Sequence, residues 1–239
     1  KRITTMNTYQ NKYKNINIKF GEIIEQSLKP SNDEKHANLE TFFCDYKKWI
    51  SIIESQNEKI IYEEANSEYK IMLLFLCMGL YKNAYMSLRG YFELTLFGIL
   101  ISTSDLDFRL WRRGLKDVHW SEITDMEKGI FSKTFVETYN VLLLQDREKI
   151  NILAKELYRN CSEYIHSGYK IINEECDICF NQEIYDSFCN QVNQINRIIT
   201  YAFCVRYYDD LKKSENIEEL YDSIVEQLTD IKNVHALLR

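Results

Sequence analysis

One proline and seven glycines in 239 residues leave too few chain reversals for a β-sandwich or barrel, whose short strands need a turn about every 8–12 residues. Long apolar runs are missing as well. The longest stretches without a formal charge, Ile71–Tyr81 and Leu94–Ser104, hold 11 residues each, against the roughly 18 that cross a bilayer. No transmembrane helix is expected, and no charged segment followed by an apolar core opens the chain, so the reading is a soluble, cytoplasmic protein. Phosphate loops of the Walker type, a GxSxG elbow and an HExxH pair are all absent, which removes support for P-loop hydrolysis, ester hydrolysis and zinc proteolysis. Excess positive charge is absent too: the formal net charge is −6, so nucleic acid would have to be met by a local basic patch.

The seven cysteines are an odd number scattered through helical patterns, which suits reduced thiols better than a disulfide framework. Cys176-Asp177-Ile178-Cys179 is a lone CxxC. Zinc wants four ligands and there is no second close pair, so no metal and no cofactor are expected.

What is present is helical periodicity in a chain that is 45% hydrophobic, enough for one sizeable core. The expected class is all-α. Residues 1–17 read as a polar, basic, aperiodic arm, followed by a short helix over Phe20–Leu28 that Pro30 stops. A helix capped at Asn32 or Asp33 carries Leu39, Phe42, Phe43, Tyr46, Trp49, Ile50 and Ile53 at helical spacing. Residues 60–81 and 83–103 are the most apolar pair and are expected at the centre of a bundle. Short helical pieces are expected in 104–128, a helix near 130–143, another from Asp146 to Ser167 ended by Gly168, a long one over 181–212 and a last one over 215–229. The resulting division is 1–59 as an arm and helical extension, 60–212 as the bundle, and 213–239 as a C-terminal helix packing on it.

The segment Leu157–Gly168 carries the candidate chemistry. With Ile150 set at zero on a helical wheel, Leu153, Ala154, Leu157, Cys161 and Ile165 fall within about 60°, whereas Arg159 and His166 fall at about 180° and 160°, roughly 10.5 Å apart along the axis. A phosphodiester lying on that face could be held by the guanidinium and reached by an imidazole suited to proton transfer at neutral pH. Arg112 and Arg113 also precede His119 at comparable spacing, but Gly114 and irregular surroundings make one ordered face less expected there.

At these residues the chain resembles the HEPN superfamily, whose ribonucleases carry an Arg, often a polar residue next, and a His shortly after; here the match is Arg159-Asn160-x5-His166. Ala84-x3-Leu88-Arg89-Gly90-Tyr91-Phe92-Glu93 is similar to the Arg/Glu-bearing early helix of HEPN-like defence proteins, and the resemblance spans about 60–210. It implies a HEPN-like helical bundle with an N-terminal helical extension. It also implies a metal-independent endoribonuclease in which the 2′-hydroxyl attacks the adjacent phosphorus, leaving a 2′,3′-cyclic phosphate and a 5′-hydroxyl. Arg159 would stabilise the phosphorane charge, His166 would act as acid or base, Asn160 would orient a phosphate or a partner motif, and Arg89 with Glu93 would steady the site. The resemblance further implies a homodimer whose two motifs line one cleft, with Ile152 helping to pair the chains. The setting would be phage defence or a toxin–antitoxin system, with RNA, tRNA among it, as substrate and a regulatory or antitoxin protein as partner.

Plainer readings stand beside these. His166 could interact with terminal carbonyls, Arg159 could pair with Glu156 or Glu163, and Arg89 with Glu93 could be an ordinary i,i+4 pair. Arg109, Arg112, Arg113 and Lys116 with Trp111 form the best basic-aromatic patch for RNA, yet Asp105, Asp107 and Asp117 dilute it and Trp111 could be a core plug. The second functional reading is a catalytically silent module of this bundle type that dimerises or docks a partner.

Overall fold

The computed structural model describes residues 2–53, 56–117, 119–165, 178–215, 217–231 and 233–237. They form α1 (Arg2–Ser27), α2 (Asp33–Ile52), α3 (Lys59–Cys77), α4 (Tyr81–Ile101), α5 (Asp105–Arg112), α6 (Trp120–Ile123), α7 (Lys133–Tyr139), α8 (Arg147–Ile165), α9 (Gln182–Arg206), α10 (Tyr208–Lys213), α11 (Ile217–Gln227) and α12 (Val234–Leu237). Two 3₁₀ segments, Pro30–Asn32 and Val141–Asp146, precede α2 and α8. The class is all-α, with no strand among the described residues.

The centre of the bundle is α4 against α9 rather than α4 against α3. Every residue of α9 from Ile198 to Val205 is buried, as expected only for a helix covered all round. In contrast α3 leaves Ile60, Ile71 and Leu74 exposed on its outer side. α3 is still the most extensive neighbour of α4, with α8 and α9 on its other faces. α2 joins the same core: Tyr46 and Trp49 are wholly buried and lie 5.7 and 5.1 Å from the Phe203 ring of α9. The stretch assigned to an extension therefore supplies part of the central packing.

Many buried rings here are tyrosines, and a buried hydroxyl needs a partner. Tyr46 shares a 2.8 Å hydrogen bond with Thr95, Tyr69 donates to the Leu39 carbonyl at 3.0 Å, and Tyr91 donates to Asn196 at 3.3 Å. Tyr62 shares a 2.8 Å bond with Tyr207, which donates to buried Glu58 at 2.7 Å. Burial pushes the Tyr62 and Tyr207 phenols well above their ordinary range, and the Glu58 charge adds to the rise at both, so they stay protonated.

Two glycines make the α3–α4 hairpin possible. Gly79 in its turn has φ +68°, and a Cβ there would lie 2.6 Å from the Cys179 carbonyl oxygen. At Gly98 a Cβ would lie 2.6 Å from the Tyr62 ring, whose hydroxyl is already fixed by Tyr207. Gly98→Ala is therefore expected to cost about 2 kcal/mol, a Tm loss of about 4–8 °C in thermal unfolding, because the ring has nowhere to retreat. An unchanged Tm would show that the hairpin can open at this point.

The N-terminus departs from the expected loose arm. Residues 2–27 are one continuous helix, held to the bundle near its end, where Ile23 is buried and Ser27 Oγ donates to the Cys77 carbonyl at 3.0 Å. From Thr8 to Lys19 all described side chains are exposed except half-buried Ile16.

Candidate functional site

α8 turns the expected stripe inward, with Ile150, Ala154, Leu157 and Cys161 buried against the bundle and Leu153 and Ile165 half-buried. Gln191 of α9 donates to the Cys161 sulfur at 3.2 Å. Burial pushes that thiol up to about 12, so α8 presents no thiolate nucleophile at neutral pH.

Arg159 lies on the opposite side with its side chain 71% exposed, and its only charged partner among the described residues is Glu163 at 3.9 Å. So open a pair adds little to stability and leaves the guanidinium accessible. Asn160 is half-buried next to it. His166 lies outside the described residues, as do Gly168 and Cys176. Ile152, two turns before Arg159 on the same face, is 68% exposed.

Arg89 and Glu93 are brought to α8 by a residue that sequence reasoning passed over. The Tyr158 hydroxyl accepts from Arg89 Nη2 at 2.5 Å and donates to Glu93 Oε1 at 3.2 Å. The Arg89 and Glu93 side chains are themselves 3.9 Å apart. The Tyr158 ring stacks on Trp120 with centroids 3.9 Å apart and planes 5° from parallel, and the Arg89 guanidinium lies 4.6 Å from its centroid. Partial burial, then the Glu93 charge, raise the Tyr158 phenol above its ordinary value, which keeps the hydroxyl available as both donor and acceptor.

The signal for Tyr158 was present in its place at about 80° on the α8 wheel, the border of the buried stripe, where an aromatic with a polar tip fits. Tyr158→Phe keeps the stack and removes both hydrogen bonds. The expected loss is about 1 kcal/mol, read as a lower urea midpoint at unchanged slope; wild-type stability would mean that the bridge adds nothing.

The basic-aromatic patch is more neutralised than its sequence suggests. Arg109 Nε sits 2.7 Å from Asp105, and Lys116 lies 3.2 Å from Asp107 and 3.6 Å from Glu122. Trp111 packs on Phe97 and Phe108, with centroids 5.8 and 6.1 Å apart, as a partly buried plug. Arg112 and Arg113 remain exposed. α5 ends at Arg112 and Gly114 follows with φ +66°, so Arg112, Arg113 and His119 share no helical face.

Among the described residues no group of three His, Cys, Asp or Glu is placed to hold a metal ion, and no helix is long and apolar enough to cross a membrane. Searches against family models, curated proteins and solved structures found no match to this chain.

Proposed function

We propose that this protein is a cytoplasmic, metal-independent endoribonuclease of the HEPN type, acting as a toxin or effector in phage defence or a toxin–antitoxin system. The observation that supports the reading is the outward projection of Arg159 from a helix whose Ile150, Ala154, Leu157 and Cys161 are buried against the bundle, which leaves the guanidinium open to a phosphodiester. Arg159 is assigned to the non-bridging oxygens, where charge develops as the 2′-oxygen bonds to phosphorus and the bond to the 5′-oxygen breaks. The 2′-hydroxyl proton passes to a base and the 5′-oxygen takes one from an acid on the far side of phosphorus. The motif carries a single imidazole per chain, His166, so two chains facing each other supply both roles, and exposed Ile152 is suited to that contact. Arg89, Glu93 and Tyr158 are positioning residues. A regulatory or antitoxin protein is the partner an RNA-cleaving chain requires.

The products test the reading. RNA cleaved in EDTA should carry 2′,3′-cyclic phosphate and 5′-hydroxyl ends; 3′-hydroxyl and 5′-phosphate ends, or dependence on a divalent ion, would overturn it.

A catalytically silent module that dimerises or docks a partner is the second reading. The closed Arg89–Tyr158–Glu93 bridge favours it, since those groups spend their hydrogen bonds on one another.

A further inference from the structure

From Thr8 to Lys19, α1 overhangs the bundle, its described side chains exposed apart from half-buried Ile16. An isolated helix of this length is marginal in water, because tertiary packing supplies most helical stability. Its charge is one-sided. Residues 1–21 contain Lys1, Arg2, Lys12, Lys14 and Lys19 and not one carboxylate, so with −6 overall the rest of the chain carries −11. A polyanion is repelled by the body and attracted by the overhang. Lys12, Lys14 and Lys19 are exposed and make no ion pair among the described residues.

Tyr9 and Tyr13, one turn apart on one face, are 61% and 68% exposed. The stripe Tyr9, Tyr13, Ile16, Phe20, Ile23 passes from two exposed rings through half-buried Ile16 and Phe20 to Ile23, which at 3% is seated in the bundle. Its free end therefore displays rings while its other end anchors the helix. Asn11, Asn15, Asn17 and Gln10 fill the surface between them with amides. That mixture is too polar for insertion into lipid, where large aliphatic residues would be needed on one face. Ile18, an exposed aliphatic among the described residues, lies on the opposite side of the wheel from the tyrosines.

We infer that the α1 overhang is a binding arm for single-stranded RNA, its lysines held on the backbone phosphates and Tyr9 and Tyr13 stacked on unpaired bases. The choice of RNA rests on the proposed function, while the charge and ring arguments do not. The arm adds a contact outside the Arg159 face. It tethers substrate that the rest of this acidic chain would turn away.

The test is fluorescence anisotropy of the full chain with a labelled 20-nucleotide 2′-O-methyl oligo(U), which has no free 2′-hydroxyl and so cannot be cut by the proposed chemistry. Binding is expected to weaken with salt. Lys12→Glu/Lys14→Glu/Lys19→Glu should lower affinity at least tenfold and flatten the salt dependence by about two units of slope. Tyr9→Ala/Tyr13→Ala should lower affinity by about tenfold with the salt slope unchanged. Circular dichroism checks that both variants keep the wild-type fold. Absence of binding at 50 mM salt, on the order of conditions where such contacts are strong, would overturn the inference, as would binding indifferent to the triple variant. Arm-dependent sedimentation with phosphatidylserine vesicles or arm-dependent self-association, without RNA binding, would overturn it in favour of lipid or a second copy. A chain that binds this oligonucleotide yet cuts no RNA would sink the nuclease reading and leave the arm standing.

Discussion

Arg159→Ala and His166→Ala are each expected to lower cleavage of total RNA in EDTA by about 10²- to 10³-fold, with Tm within about 2 °C of wild type. For Arg159 the stability half of that expectation rests on exposure. The Arg159 side chain is 71% accessible and its contact with Glu163 at 3.9 Å is one of the open pairs that contribute little. The activity half rests on chemistry, since of the two arginines of α8 only Arg159 is exposed, Arg147 being half-buried, and burial keeps the Cys161 thiol protonated. Equal cleavage by wild type and both variants would assign the activity to another site or to contamination. A variant that lost activity together with its fold would leave Arg159→Lys to decide, because a lysine keeps the charge and loses the planar fork.

The largest loss of stability is expected at Trp49→Ala, about 3–5 kcal/mol and a Tm drop of roughly 6–20 °C. Trp49 is 1% exposed, packs on Phe203 of α9 and belongs to the same continuous core as Leu88 and Ile195. Deleting residues 1–21 should by contrast leave Tm nearly unchanged, since that stretch of α1 makes so little contact with the rest. The two experiments together separate the arm from the core. A stable protein lacking the Trp49 ring would mean that α2 is the appendage its position in the chain suggested.

Much of the architecture was legible because burial writes itself into spacing. α2, α3, α4 and α8 were all expected within a few residues of where they lie, and the broken helices of 104–128 were anticipated from Asp105, Gly114 and mixed charge, whereas the single helix expected over 181–212 is interrupted at Tyr207, which separates α9 from α10. The exchange of α3 for α9 at the centre was not legible, because IMLLFLCMGLY is locally more apolar than INRIITYAFCV although Ile71 and Leu74 face outward. Helicity of residues 2–17 was missed because the described side chains of this stretch are almost all exposed, so its Asn and Lys residues hide a stripe that starts at Tyr9. At the candidate site the outward place of Arg159 followed from the wheel alone. The bridge through Tyr158 did not, since it depends on which neighbour lies across from α8, and a single helix does not disclose its neighbour.

Tyr158 also acts as an index mark on a dial. Its ring, seated against Trp120 and tied to Arg89 and Glu93, fixes the rotational phase of α8 about its own axis. Adding or removing one residue between Ile150 and Tyr158 would turn everything beyond by about 100°. Arg159 would then either swing toward α4 or leave Tyr158 without its seat. Length in that stretch should thus be far less negotiable than residue identity.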